Sequence, residues 1–384
     1  MKIVFITPEF PTVSETPILN QIIGLMDLGH KVDIISLIKG NNKLMHPDVQ
    51  KYGLIARTTY LWDQSSTIFE RMLFLATMLI RKRQYDIIYC QSGRQGLKLL
   101  LFHRLHLLSG KLVVQFRGHD ISEFVNLNGN GVYKSLFQHA DYFLPVCNYF
   151  RKRAISLGCP ENKIRVMRQG IDCSRFKFTE RRKPVRGPVK IVFAGRLVEK
   201  KGVEYAIHAL SLLRERGYNV ELMIVGDGLL KRKLQHLCWD LKIKKFVNFL
   251  GEKNQTQIIK ILNKSHLFIA PSMTSKSGDQ EGIPSVIKEA MASGLPVVST
   301  RHSGIPELVK DGVSGFLVKE GDAKELVDRL SFLIEHPQLW PEMGKAGRLI
   351  VEKNYNNKKL IRQLADIFNH LIEEKKSAHL YHVV

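Results

Sequence analysis

Glu281 and Glu289 bracket the segment EGIPSVIKEAMASG, with seven residues between them, and the types around them point to a chemistry. Pro284 suits the first turn of a helix because that turn leaves its N–H groups unpaired, and Gly294 suits the helix end. The N–H groups around Gly282, Ile283 and Ser285 would then stand at the positive end of the helix dipole, a site for the anionic diphosphate of a ligand. Glu289, about one turn further in, can accept hydrogen bonds from vicinal hydroxyls, as acidic residues do for ribose in Rossmann sites. Glu281 stays in the loop, where it can face a sugar.

A second segment, GRLVEKKG, runs from Gly195 to Gly202 where the apolar run VKIVFAG gives way to a helix. Arg196 offers a planar fork of donors and Lys201 a movable point charge, and together they can neutralise a leaving diphosphate. An isolated Arg and Lys would be ordinary surface charge; placement at a strand end beside Gly195 is what singles them out. In VGDG, also at a strand end, Gly226 and Gly228 would let backbone approach a ligand closely. Lys231 stands where the third glycine of a GxGxxG fingerprint would fall, so NAD binding is not favoured, and no paired aspartates suggest a metal site. In QFRGHDIS, Arg117, His119 and Asp120 follow the strand LVVQF. His119 is placed to position an acceptor or bond to a sugar hydroxyl, an argument from position, since the chain holds 14 histidines.

Short β-branched runs alternate with amphipathic stretches, the pattern of βαβ units in a parallel sheet. IVFIT, VDIISL, DIIYC, LVVQF and YFLPV form one such series; VKIVFAG, VELMIVG, VNFLG, HLFIAP and PVVST form another. Between them, KFTERRKPVRGP has no apolar periodicity and reads as an interdomain connection. The expected architecture is α/β, two Rossmann-like domains at 1–180 and 181–360. After Asp322 the pattern is helical, and the last helix, 361–384, is expected to cross back onto the first domain.

At 384 residues, 44% of them hydrophobic, the chain can fill two cores. Cys90, Cys147, Cys159, Cys173 and Cys238 lack the spacing of a zinc site or disulfide framework and read as reduced cytosolic thiols. The run after Met1 is too short for a signal peptide, and Thr67 to Ile80, interrupted by Glu70 and Arg71, is too short to span a bilayer. Arg81, Lys82 and Arg83 follow it directly, so this stretch is either a surface helix held on anionic lipid or a buried core helix with a solvated end. The formal charge of +22 implies a polyanionic partner. It lacks the aromatic interleaving of an RNA-reading module, so membrane or sugar phosphates fit better than nucleic acid.

These motifs in this order resemble glycosyltransferase family 4 of the GT-B fold. Those that carry the likeness are GRLVEKKG, VGDG, the APS at Ala270 to Ser272, EGIPSVIKEAMASGLPVVST and GIPELVKDGVSGFLV. The resemblance implies two Rossmann-like domains facing a deep cleft, the first binding acceptor and the second nucleotide-sugar. It implies a retaining, metal-independent transferase without a cofactor, using a UDP- or GDP-sugar. Glu281 would contact the donor sugar, Glu289 the ribose, and Arg196 and Lys201 the diphosphate. FPTVSETPILNQI and RGHDIS look like the subgroup that builds exopolysaccharide, colanic-acid-like or capsular units, whose acceptor is lipid-linked or an oligosaccharide. A peripheral position at the inner face of the cytoplasmic membrane follows. Arg117 stands where many relatives carry the histidine of an HGxD pattern, so the acceptor-side role belongs to Arg117 or His119. A non-catalytic nucleotide-sugar-binding scaffold of the same fold is the alternative.

Overall fold

A computed structural model describes residues 1–12, 16–40, 46–62 and 83–380. The chain forms two compact units, Met1–Gln169 together with Asn357–Val384, and Gly170–Asn356. In the first, strands β1 (Lys2–Phe10), β2 (Lys31–Lys39), β3 (Thr58–Trp62), β4 (Arg83–Cys90), β5 (Leu108–Phe116) and β6 (Tyr142–Pro145) make a parallel sheet in the order β3-β2-β1-β4-β5-β6. In the second, β7 (Val189–Ala194), β8 (Val220–Val225), β9 (Val247–Gly251), β10 (Leu267–Ala270), β11 (Val297–Thr300) and β12 (Gly315–Val318) lie in the order β12-β11-β10-β7-β8-β9. Each is the doubly wound arrangement, in which the strand order reverses once. The loops leaving the two strands at that reversal, β1 and β4 or β7 and β10, diverge and leave a crevice at their carboxyl ends.

The alternating runs of the sequence correspond to ten of these twelve strands; β3 and β12 are the two that it did not mark. Both lie at sheet edges; Thr58 to Leu61 of β3 are half-buried and carry a weaker apolar signal, whereas β12, GFLV, is wholly buried but only four residues long. The central strands are buried on both faces: Ile3, Val4, Phe5 and Ile6, and Val297 and Val298, have no exposed surface.

The unit boundary falls at Gln169, ahead of the break expected near 180. The polar stretch beyond it is built into the second unit. The Ile171 N–H donates to the Tyr355 carbonyl, and the buried Arg181 guanidinium donates to the carbonyls of Asn263 and Ser293 at 2.9 and 2.8 Å. A run of charge that reads as a solvated linker is here partly a set of donors to helix-end carbonyls. The final helix, Asn357–Leu380, belongs to the first unit, where Leu364 and Phe368 are buried with Ile3 and Phe5. Phe368 meets the edge of Tyr89 with ring centroids 5.3 Å apart. Thr67 to Ile80 and the cations Arg81 and Lys82 lie outside the described residues, as do Val13 to Glu15. Among the described residues no helix is long and apolar enough to cross a membrane. All five cysteines are buried free thiols.

Candidate active site

The crevice between β7 and β10 holds a cluster of ion pairs in the second unit. β7 ends at Ala194, and the chain leaves through Gly195, Arg196 and a short helical turn, Glu199–Lys201, before the helix Val203–Glu215. β10 ends at Ala270, and the loop that follows runs to the helix Ser285–Ala292. The Met273 N–H donates to the Lys200 carbonyl at 2.9 Å, joining the two loops. One turn of helix presents two successive lysines to one loop. The Lys200 ammonium lies 2.8 Å from Asp279 Oδ2 and 3.2 Å from Glu281 Oε1, and the Lys201 ammonium 3.0 Å from Glu281 Oε2.

Burial alone would push the Glu281 carboxyl up, but Lys201 and then Lys200 outweigh it and hold the group at about 2. Glu281 is therefore an ionised carboxylate at neutral pH, able to accept hydrogen bonds and unable to donate a proton. Burial acts in the opposite sense on Lys200, where Glu281 and Asp279 reverse it and the ammonium is held above its ordinary range.

The loop carrying Glu281 is fixed from behind by His302, which is wholly buried just past β11. The Glu281 N–H donates to His302 Nε2 at 3.0 Å, and an amide cannot accept, so Nε2 carries no proton. His302 Nδ1–H then donates to Glu320 Oε1 at 2.6 Å, and Glu320 Oε2 accepts the Thr274 N–H at 2.7 Å. Both ends of the loop thus hang on one His–Glu pair.

The helix that follows starts at Ser285, with Pro284 as its extended N-cap residue (φ −58°, ψ 130°), one position before the helical turn expected for it. The consequence for charge is the same: the N–H groups of Gly282, Ile283 and Ser285 have no acceptor among the described residues. Glu289 is buried on this helix beside Lys288. Burial raises its carboxyl to about 7, with Lys288 opposing only in part, and no protein donor reaches it among the described residues.

Gly226 and Gly228 hold two loops of the second unit together. Their φ angles are +130° and +158°, and a Cβ on either would collide with a carbonyl oxygen, that of Gly195 or of Leu197. The Gly195 N–H donates to the Val225 carbonyl and the Leu197 N–H to the Asp227 carbonyl, at 2.9 and 2.8 Å. These glycines let two protein loops touch, and so place Arg196, whose side chain is exposed.

In the first unit, Asp120 is likewise committed. Its Oδ1 accepts from the Arg117 and Gly118 N–H groups, both at 3.0 Å, and its Oδ2 from the Gly93 N–H at 2.9 Å. It ties the loop after β5 to the loop after β4 as a buried acceptor of three backbone N–H groups. His119 remains half exposed, with Nε2 2.9 Å from Glu123. Arg117 lies near the Tyr89 hydroxyl, which its charge acts to lower against the larger effect of burial.

Lys200, Asp279, His302 and Glu320 were not singled out from the sequence. Lys200 carried a signal, since it adjoins Lys201 at the same strand end. His302, two residues past PVVST, carried the same one. Among the described residues no three His, Cys, Asp or Glu side chains converge as a metal-binding group.

Two family models cover most of the chain: Glycosyltransferase Family 4 over residues 14–175, and Glycosyl transferases group 1 over residues 175–350. The chain is 34% identical to WcaL of Salmonella typhimurium, named as a colanic acid biosynthesis glycosyltransferase, over 96% of this chain and 99% of that one. It is 33% identical to the amylovoran biosynthesis glycosyltransferase AmsK of Erwinia amylovora, over 97% and 100%. Among solved structures, Anabaena HepE in complex with UDP and glucose superposes with a TM-score of 0.79 at 19% identity, over 96% and 100% of the two chains. With a lysine-bound carboxylate and an open helix end at the strand reversal of one of its two doubly wound sheets, the chain belongs to glycosyltransferase family 4, GT-B in fold, within the group of exopolysaccharide biosynthesis glycosyltransferases.

Proposed function

We propose that this protein moves a sugar from a UDP- or GDP-sugar to a lipid-linked or oligosaccharide acceptor with retention of anomeric configuration, using no metal and no cofactor. The observation that carries the donor side is the Lys200–Glu281–Lys201 cluster beside the unpaired N–H groups at the start of the helix Ser285–Ala292. The structure of HepE with UDP and glucose supports a uridine diphosphate donor by analogy.

The acceptor hydroxyl attacks the anomeric carbon on the face that the nucleotide leaves. The bond from that carbon to the diphosphate oxygen breaks, the new carbon–oxygen bond forms, and the hydroxyl proton passes to the departing phosphate. Arg196, Lys201 and the helix N-terminus absorb the negative charge that builds on the diphosphate. Glu281, ionised throughout, accepts hydrogen bonds from the donor sugar. Because Lys200 also neutralises it, Lys201 can turn towards phosphate without stranding a buried carboxylate. Glu289 receives the ribose hydroxyls, and Arg117 or His119 orients the acceptor. The protein works in the cytoplasm, peripherally at the inner face of the membrane where a lipid-linked acceptor is presented.

A panel of UDP- and GDP-sugars, scored by thermal stabilisation and then by transfer, tests the reading. One sugar nucleotide should raise Tm and yield a product with the donor's anomeric configuration by NMR. An inverted product sinks the front-face mechanism, and binding without transfer to any saccharide sinks the enzymatic reading.

A further inference from the structure

The opposite edge of the second sheet carries a basic, partly apolar surface that the donor chemistry does not use. β9 is an outer strand, two places from β7, and the helix Lys231–Asp240 packs near it. A cavity of about 850 Å³ opens there, lined among others by Arg232, His236, Trp239, Lys244, Asn248 and Phe249. Between residues 231 and 253 the chain holds seven Lys and Arg against two carboxylates, Asp240 and Glu252.

Several of these charges are already paired. Lys231 lies 2.6 Å from Asp227, Lys233 3.6 Å from Glu204, and His236 holds Asp240 at 2.9 Å. Arg232 and Lys244 are exposed with no carboxylate partner among the described residues. Between them stands Trp239, 67% exposed, with the Lys244 ammonium 5.2 Å from its ring centre. This cation–π contact holds the ring beside basic groups that have no carboxylate partner among the described residues, an arrangement suited to a bilayer surface. There the ring sits among headgroups and the cations meet phosphates.

We propose that this edge, from the helix Lys231–Asp240 through the turn at 241–246 to β9, docks on anionic lipid. Trp239 enters the interfacial layer and Arg232 and Lys244 receive headgroup phosphates. The proposal rests on the peripheral-membrane reading above and assigns it a surface. Phe246 and Phe249 are half-buried, so this edge offers a single broad ring rather than the row of stacking platforms that single-stranded nucleic acid uses.

The test is sedimentation of the full chain with vesicles of phosphatidylcholine alone or mixed with phosphatidylglycerol. The parent should bind the mixed vesicles only. The Arg232→Glu, Lys244→Glu double variant should lose tenfold or more of that binding, and Trp239→Ala severalfold. Unchanged melting curves and donor affinity would show both variants folded with the β7–β10 site intact. If both bind mixed vesicles like the parent, the surface is assigned wrongly while the membrane reading stands. If the parent binds no vesicles, the membrane reading fails and takes the surface with it. Loss of single-stranded DNA retention in the variants, with vesicle binding intact, would make this a nucleic-acid face and overturn the proposal.

Discussion

At the β7–β10 reversal the chain sets Lys200, Lys201, Asp279 and Glu281 within ion-pair distance of one another, whereas at the corresponding β1–β4 reversal of the first unit the buried side chains just past the strand row, among the described residues, are uncharged. There, one residue past the paired row Ile6, Cys90 and Val114, stand Thr7, Gln91 and Gln115. All three are buried, and Thr7 Oγ1, both polar atoms of the Gln91 amide and Gln115 Nε2 find no hydrogen-bond partner among the described residues. The Tyr89 hydroxyl approaches Gln21 and Gln91 without reaching hydrogen-bond geometry. The same topology thus frames two different solvents. Ion pairs suit a site that must take up the charge of a diphosphate; amides and a hydroxyl, each able to donate or accept, suit recognition of neutral hydroxyls.

If the contrast is functional, the largest effect should come from the charged crevice. Lys201→Ala and Glu281→Gln should each reduce kcat by about 10²-fold or more, the usual scale for removing one charge-stabilising group. Initial rates at saturating donor check this, and near-parental turnover in either variant would erase the distinction between the two crevices. Glu289→Ala should act on binding instead, weakening donor affinity in calorimetry by roughly tenfold, or about 1.4 kcal/mol. Unchanged affinity would dismiss the ribose contact.

On the uncharged side, Gln91→Leu combined with Gln115→Leu should raise the acceptor KM severalfold and leave the donor Kd alone. A change in donor Kd would mean that the two crevices do not act as separate sites. The smallest effect is on stability against pH. Glu289 has a folded value of about 7 against an ordinary 4.5, so the folded chain binds this proton more tightly than the unfolded one. Its contribution is therefore whole below about 4.5 and is lost as pH rises through about 7. Glu289→Gln should melt at a higher temperature than the parent at pH 8, with the gap closing by pH 5. Glu281 runs the other way, its contribution present above 4.5 and lost as pH falls towards 2. A pH-independent Tm gap for Glu289→Gln would show that this carboxylate is not held neutral by burial.

Much of this was legible in the residues because it is local. Runs such as IVFIT and VKIVFAG must be central parallel strands, since only burial on both faces tolerates so many apolar residues in succession. EGIPSVIKEAMASG announces a helix start, and a helix start is an anion site wherever it is left open. The roles of Gly226, Gly228 and Asp120 were not legible. Each of them serves contacts between loops distant in sequence, and a glycine or aspartate next to a strand end looks the same whether it faces a ligand or another loop.

The amino-acid sequence by itself determined the two doubly wound sheets, the membership of the chain in its family, and the positions of Arg196, Lys201, Glu281 and Glu289 at strand and helix ends. Periodicity and end signals act over a few residues and need no knowledge of partners. Only the tertiary structure decided that Lys200 shares Glu281 with Lys201, that His302 and Glu320 hold the loop in place, and that Gly170 begins the second unit. Those pairings span some 80 residues or more for the Lys200–Glu281 ion pair and depend on strand register, which no local pattern encodes.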